Sequence, residues 1–456
     1  MKKLFLLSVA ALCLSTTVNA QDADSKYIRN SLYMLKLDMP ADDEEYAHAF
    51  EVMNTAFDGI NFATRYERYN DFSLEGRHID WEKVPTATAE DMEAIEKQSK
   101  KDLLIKQQLV SMGVKLDPIS EREYAARLLN YFNENKFGNQ LVAKWHTAEG
   151  ADPKSVSAWD NKLPVIMELG MKGLSEEERA NAKATENLID MCAGSETKLL
   201  GTTYVCVNNY RMITAKEKTA VPLALAKVTV QFLPGPAKLA GQAAITAAKI
   251  AFDKAKGYFV KTNAYLFKLD WDETIQNNFY TDYWNSPAKF NSEANYKLKY
   301  VGKSSKSAGA GLTMKSSKLD ELIARGALRA TDAAFAALQR DHEDFRPMSS
   351  LHVIDGKLAA YIGKKEDVKS GDKFDVFTPQ EGKDKTIEWK KVGTLKVAKN
   401  GVWDNREGAG QTIEGETEDD ADEKDDKKEE AATTEYTVFE GKPGKMGEGC
   451  MIRLAK

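Results

Sequence analysis

The feature that most constrains the fold is a change of pattern at Arg346-Pro347, late in the 456-residue chain. Before it, apolar residues recur over long stretches at helical spacing, and after it the chain runs in short β-type segments separated by turns. Such an arrangement is typical of an α+β fold. We therefore expect a mixed helix and strand domain over residues 21–345 and a small all-β, barrel-like domain over residues 346–456.

The strands expected in the small domain are short. They are Leu351 to Asp355, Lys357 to Ile362, Phe374 to Phe377, Thr386 to Val397, Tyr436 to Phe439 and Cys450 to Leu454. Residues 407–435 are dominated by Asp, Glu, Lys and Gly, so we expect a disordered acidic insert there. A repeated spacing supports similar β-units, because Lys369-Ser-Gly-Asp372 and Lys445-Met-Gly-Glu448 each precede residues that alternate in polarity.

Polar residues mark the expected helix starts in the larger domain. Ser120 with Glu123 is a capping-box pattern, and the apolar spacing that follows predicts two helices on one core, ending near Trp145. One long polar helix is expected from Thr88 to about Met112, where Gly113 follows. The segment from Lys318 to Phe345 predicts one or two final helices.

Two segments of the larger domain predict strands of one sheet. Thr202 to Asn208 is a β-branched run, and Tyr258 to Trp271 again has the composition of a strand. Between them lies the most apolar part of the chain after residue 20, interrupted by Pro234-Gly-Pro236. We interpret residues 221–256 as a helical excursion that joins the two strands.

This excursion has two interpretations. A helix docked in a groove of the protein itself explains its apolar pattern. The alternative is an amphipathic hairpin that contacts a membrane, because its lysines suit anionic headgroups. The lysines concerned are Lys238, Lys249, Lys254 and Lys256.

The first twenty residues have the pattern of a secretory signal peptide. Lys2 and Lys3 precede a short apolar core, and the small residues before Gln21 suit cleavage after Ala20. A lipoprotein signal at Cys13 is the alternative, although Leu12 is larger than the residue that such processing requires. We expect an exported protein of the periplasm or the outer-membrane periphery, or an extracellular one, without a later transmembrane span.

Charge and cysteine content exclude some classes of protein. The chain has a formal net charge of −6 and no basic stripe, so we do not expect it to bind nucleic acid. Cys192, Cys206 and Cys450 are too few for a disulfide framework. A bond between Cys192 and Cys206 and buried free thiols both remain open.

Several blocks of sequence resemble an uncharacterised family of exported proteins from Gram-negative anaerobes. They are Asn135 to Trp145, Tyr265 to Trp271, Asp341 to Phe345, Ala359 to Glu366, Lys391 to Thr394 and Val402 to Arg406, so the similarity covers most of the chain. The resemblance implies no catalytic residues. The Lys-x-Gly-Asp units and Val392 to Val397 are also similar to the C-terminal β-domain of a periplasmic flagellar-assembly protein, which implies an assembly module and not an enzyme.

The motifs of known chemistries are absent from the sequence. We find no phosphate-binding loop, no nucleophile elbow and no zinc pattern, and therefore expect no catalytic, cofactor-binding or metal-binding residues. His342 and His352 could approach each other across Pro347, but surface histidines are the commoner case. Ser195-Glu-Thr-Lys198 has the spelling of a serine-lysine enzyme without its partner motifs.

An aromatic cluster is the one candidate binding patch. Its members are Trp271, Phe279, Tyr280, Tyr283, Trp284 and Phe290. If exposed, Tyr280, Tyr283 and Trp284 could stack on a sugar or a peptide, whereas packing in the core is the commoner use of such rings.

These observations favour a non-catalytic envelope protein that binds or scaffolds another component. Its partner would be an unknown envelope protein or a glycan, and peripheral contact with a membrane is compatible with the sequence. One alternative is a hydrolase with an unrecognised site in residues 21–345. Another is a membrane-associating assembly factor that uses residues 221–256.

Overall fold

The fold comes from a computed structural model of the chain. It describes residues 27–28, 30–40, 44–60, 78–97, 99–146, 197–381, 387–416, 434–444 and 446–456. The architecture is α+β, as the sequence predicts, with helices around a central sheet and a second, barrel-like sheet in the C-terminal part. Cys192 and Ser195 lie outside the described residues.

The central sheet has five strands in the order β3-β2-β4-β5-β6. They are β2 (Leu32–Asp38), β3 (His78–Asp80), β4 (Tyr204–Thr214), β5 (Tyr258–Leu269) and β6 (Leu298–Gly311). Strand β2 is parallel to β3 and β4, whereas β4, β5 and β6 are antiparallel. Strand β4 pairs with β5 along its whole length. This pairing confirms the prediction of two strands of one sheet joined by a helical excursion.

Helices cover both faces of this sheet. Those with both ends described are α1 (Ala47–Asp58), α2 (Ala89–Ile95), α3 (Lys100–Ser111), α4 (Glu121–Glu134), α5 (Phe137–Trp145), α6 (Ala215–Gln231), α7 (Gly235–Lys254), α8 (Glu273–Asn278), α9 (Pro287–Glu293) and α10 (Leu319–Asp341). Leu128 and Phe132 of α4 pack on one face, and Met53 of α1 and Leu338 of α10 pack on the other. The sheet is therefore the middle of three layers, each interface having its own core.

The helix starts are partly as predicted. Ser120 caps α4 by accepting the backbone N–H of Glu123, as expected. The single helix from Thr88 to Met112 is wrong, because α2 and α3 are separate helices. A capping box between Ser99 and Asp102 begins α3.

Strand β6 has no counterpart in the sequence-based prediction. Its residues 302–311 are Gly, Lys, Ser and Ala, a composition more typical of loops. It forms because β5 offers a full-length partner, with pairing from Tyr258 opposite Gly311 to Leu269 opposite Leu298. Tertiary pairing here overrides local propensity.

The second sheet has eight strands in the order β1-β7-β13-β10-β11-β12-β9-β8. They are β1 (Tyr27–Ile28), β7 (Met348–Ser350), β8 (His352–Ile354), β9 (Lys357–Ala360), β10 (Lys373–Glu381), β11 (Ile387–Val397), β12 (Thr437–Glu440) and β13 (Met451–Leu454). Strands β7 and β8 lie near opposite ends of this order but follow each other directly in the chain. The sheet therefore nearly closes on itself. The last two strands return to the sheet that begins after Pro347, and β1 adds a strand from the start of the described chain.

The start of the acidic insert is ordered, which corrects the disorder predicted for residues 407–435. Arg329 Nε of α10 donates to the Glu407 carbonyl at 2.8 Å, and Arg325 Nη1 donates to the Gln411 carbonyl at 2.9 Å. Arg325 also forms an ion pair with Glu416. Composition alone missed these contacts because the partners are cations far away in the chain. Residues 417–433 lie outside the described residues.

The helical excursion consists of α6 and α7. Helix α6 is docked as expected, with Ala220, Leu223 and Val228 buried. Helix α7 packs on α6 but has no buried residue. Among the described helices, none is long and apolar enough to cross a membrane.

Candidate functional site

The aromatic cluster proposed as a binding patch packs against the core instead. Trp284 is 7% exposed, and Tyr280 and Tyr283 are half-buried around the fully buried Phe279. The imidazole of His146, also buried, lies 4.5 Å from the Phe279 ring. The rings therefore contribute to packing, which was the commoner of the two interpretations.

The histidines lie in separate places. His342 contacts the backbone at Gly302, whereas His352 lies 3.5 Å from Glu448 and 5.2 Å from the Tyr361 ring. His342 and His352, which the sequence suggested as a pair, therefore contact different parts of the protein. Within the described ranges, no group of three or more His, Cys, Asp or Glu residues is arranged to hold a metal ion.

A cleft of about 1200 Å³ lies between the central sheet and the barrel-like sheet. Its walls are α3, the segment that leads into α4, the first turns of α6 and two loops of the C-terminal part. Its floor is the exposed end of the central sheet, where β4, β5 and β6 continue beyond the helices α4 and α5. It is large enough for several sugar or amino-acid residues.

Positive charge is concentrated in this cleft. Thirteen of its lining residues are Lys or Arg and seven are Asp or Glu, although the whole chain has a net charge of −6. The cations are Lys97, Lys106, Lys115, Arg122, Arg211, Lys218, Lys261, Lys303, Lys306, Arg329, Lys364, Lys369 and Arg406. A concave, positive surface of this kind attracts anions.

The strand register explains the polar floor. Asn209, Asn263 and Ser305 stand side by side on β4, β5 and β6, and Arg211, Lys261 and Ser307 form the next row on the same face. Arg211, Lys261, Ser305 and Ser307 line the cleft and form its polar floor, whereas Asn209 and Asn263 are buried beside them. Closer to α4 and α5, that face carries Val205, Val207 and Phe267 instead. Along the same three strands, this face therefore changes from hydrophobic core to the lining of the cleft.

Two ion pairs border the polar floor. Asp117 Oδ2 lies 3.0 Å from Arg211 Nη1, and Glu121, the first residue of α4, pairs with Lys303. Burial would raise the pKa of Glu121, but the Lys303 ammonium outweighs this effect and holds that pKa below its usual value. Glu121 therefore stays ionised at neutral pH.

Lys261 on β5, opposite Arg211, interacts electrostatically with the members of both ion pairs. Burial lowers the pKa of Lys261, and the negative charges of Glu121 and Asp117 oppose this shift. The neighbouring cations Arg211 and Lys303 also lower the pKa of Lys261. An anion in the cleft would favour the charged form of Lys261.

Two polar side chains are buried under the cleft. Asn209 is 0% exposed and lies within hydrogen-bonding reach of the Tyr124 hydroxyl. The Tyr265 side chain, on the same face, is also 0% exposed, and its hydroxyl has no hydrogen-bond partner among the described residues.

A second polar cluster lies near the carboxyl end of β2, where His78 begins the short parallel strand β3. Lys36 Nζ contacts Asp38 Oδ1 at 2.5 Å, and His78 bridges Asp38 at 3.0 Å and Asp58 Oδ1 at 2.6 Å. The edge at the carboxyl ends of strands commonly binds ligands in α/β sheets. Here the charged groups satisfy one another, so the cluster joins α1 to the sheet.

The cleft is not apparent from the sequence. Its signal is an alternation of polar residues within three segments, Asn209 and Arg211, Lys261 and Asn263, and Ser305 and Ser307. These positions become one surface only through strand pairing, and β6 was not expected to be a strand.

A scan against protein-family models and a search of curated proteins find no match to this chain.

Proposed function

We propose that this protein is a non-catalytic binding component of the bacterial envelope, exported with the signal of its first twenty residues, and that its cleft binds an anionic glycan. The observation that carries the proposal is the excess of cations over carboxylates in one cleft above a polar floor. Cations neutralise acidic groups, while amide and hydroxyl side chains can bind sugar hydroxyls.

The composition of the cleft favours a glycan over a nucleic acid. No aromatic side chain is among its described lining residues. Single-stranded nucleic acids are bound largely by stacking of bases on aromatic rings. Recognition by charge and hydrogen bonds suits a carboxylated, sulfated or phosphorylated sugar chain better.

The carboxylates in the cleft argue against the hydrolase alternative. A general acid needs a pKa raised towards neutrality, whereas the pKa of Glu121 is lowered. Asp117 forms an ion pair with Arg211. Binding without turnover is the function that this arrangement supports.

The test is calorimetric titration of the chain from Gln21 onward with an oligogalacturonate, a carboxylated sugar chain. We expect binding that weakens with added salt, and no binding of a neutral oligosaccharide of equal length. Lys261→Gln/Lys306→Gln, two cleft positions, should weaken binding at least about tenfold. Lys297→Gln/Lys390→Gln, with the same change in charge at exposed positions outside the cleft, should not.

Three outcomes would contradict the proposal. Equal affinity for the neutral oligosaccharide would show that the cations of the cleft do not select the ligand. Tighter binding of a single-stranded oligonucleotide would show that the ligand is a nucleic acid and not a glycan. Shortening of the oligogalacturonate would show catalysis.

Export is tested separately by N-terminal sequencing, where we expect Gln21 as the first residue. A lipid-modified Cys13 would contradict a soluble envelope protein.

A further inference from the structure

Helices α6 and α7 form a helical hairpin, residues 215–256, with apolar side chains exposed to solvent. Phe232 at its tip is 60% exposed, and Leu239 and Ile250 of α7 are 79% and 51% exposed. Several large apolar side chains on one element call for an explanation that scattered single ones do not.

Helix α7 has two apolar faces. One packs on α6, and Gly241 permits this close approach, because a Cβ there would lie 2.4 Å from Val230 Cγ2. The other is defined by exposed residues that recur at helical spacing. They are Leu239, Ala243, Ala247 and Ile250. This second face has no cover in the described part of the chain.

The hairpin is also strongly basic. It contains seven lysines against the two acids Glu217 and Asp253, a net charge of +5 in a chain whose total is −6. Lys238, Lys249 and Lys254 are exposed on α7 itself. An exposed apolar face bordered by lysines suits a surface that combines negative charge with a hydrocarbon interior.

We propose that the helical hairpin binds the surface of an anionic lipid bilayer, with Phe232 and Leu239 at the boundary between headgroups and acyl chains. The lysines would lie at the level of the lipid phosphates, each contributing to attraction by the negative surface. The helices would lie on the membrane and not cross it, in keeping with their composition. A second copy of the chain suits the surface less well, because two hairpins of charge +5 repel each other.

This inference is independent of the function proposed for the cleft. It is tested by sedimenting the chain from Gln21 onward with vesicles of phosphatidylcholine containing phosphatidylglycerol. We expect the protein in the pellet with these vesicles, less of it at high salt, and almost none with phosphatidylcholine alone.

Matched variants locate the contact. Lys249→Glu/Lys254→Glu and Phe232→Ser/Leu239→Ser should each lower the partition into anionic vesicles at least about tenfold. Lys297→Glu/Lys390→Glu, equal in charge change but outside the hairpin, should sediment like the wild type. Lys261→Gln/Lys306→Gln should also sediment like the wild type, which would show that the hairpin and not the basic cleft binds the vesicles. Circular dichroism and the thermal midpoint verify that each variant is folded.

Two results would overturn the proposal. One is a wild-type protein that stays in the supernatant with anionic vesicles, and the other is sedimentation that the hairpin variants leave unchanged. The surface would instead be a dimer interface if the wild type does not bind vesicles but dimerises in analytical ultracentrifugation, and if Phe232→Ser/Leu239→Ser makes it monomeric.

Discussion

Arg211 of β4 and Lys261 of β5 stand directly opposite each other on one face of the central sheet, although both are cations. Asp117 approaches Arg211 to 3.0 Å, but the pKa of Lys261 is lowered by its burial and by the nearby cations. Like charges opposite each other on neighbouring strands are destabilising. The stability of the fold does not explain why these two cations lie opposite each other, whereas the proposed binding of an anionic ligand does.

Replacing Lys261 should therefore stabilise the fold while weakening the binding of anions. For Lys261→Gln we expect the free energy of unfolding to rise by about 0.2–1 kcal/mol, because the repulsion with Arg211 is removed. Urea denaturation measures this change, and Lys297→Gln serves as the control with an expected change near zero. A destabilised Lys261→Gln protein would show that the lysine supports the fold.

Replacing Asp117 should have the opposite effect on stability. Asp117→Asn removes the carboxylate that lies 3.0 Å from the mostly buried Arg211, so we expect the free energy of unfolding to fall by about 1–3 kcal/mol. The cleft becomes more positive, so an oligogalacturonate should bind at least as tightly. Asp270→Asn, which breaks the pair with the exposed Lys299, should cost less than about 1 kcal/mol. Equal losses for the two variants would contradict the role assigned to Asp117.

His78 should make stability depend on pH. Burial opposes the charged imidazolium, but hydrogen bonds to Asp38 and Asp58 outweigh it and raise the pKa of His78 above 6.5. The folded state then binds the proton more tightly than the unfolded state. The stabilisation is fully present below pH 6.5 and is lost as the pH rises through the raised pKa of the folded state.

Urea denaturation across this range is the measurement. Between about pH 6 and about pH 9 the wild type should lose more stability than His78→Gln, which lacks the titrating group. The groups that face His78 are Asp38, Asp58 and, through Asp38, Lys36. Equal pH slopes for the two proteins would show that His78 does not titrate differently on folding.

Local pattern predicted much of the fold. The two apolar, β-branched segments around residues 221–256 became β4 and β5, and each short segment after Pro347 became a strand. The pattern failed where a long-range partner decides the structure. Strand β6 forms from a Gly and Ser sequence because β5 lies beside it, and residues 407–416 are held by Arg325 and Arg329.

The cleft depends on such partners throughout. Asn209, Asn263 and Ser305 are unremarkable as single residues, and only the register of three strands places them in one row. The aromatic cluster shows the converse, because Trp284 is conspicuous in the sequence but is buried in the core. Composition identifies rings and charges, whereas topology decides which of them face solvent together.

Strands β12 and β13 both follow residues 417–433 in the chain. Strand β12 pairs with β11 and β9, and β13 pairs with β10 and β7, so both belong to the second sheet. Cleavage within residues 417–433 should therefore leave the C-terminal fragment bound on a native sizing column.

Joining Glu416 to Thr434 through a short glycine-rich turn should keep the thermal midpoint within a few degrees. Halving the length of a connecting segment changes its closure cost by only about 0.6 kcal/mol, and about 1 kcal/mol shifts the midpoint of a domain of roughly 100 residues by about 4–8 °C. Glu416→Gln provides the contrast. It removes the partner of the buried Arg325, so it should lower the midpoint more than the deletion does, although it changes one residue. A nicked fragment that elutes alone would contradict the strand pairing, and a deletion more harmful than Glu416→Gln would place the stabilising contacts within residues 417–433.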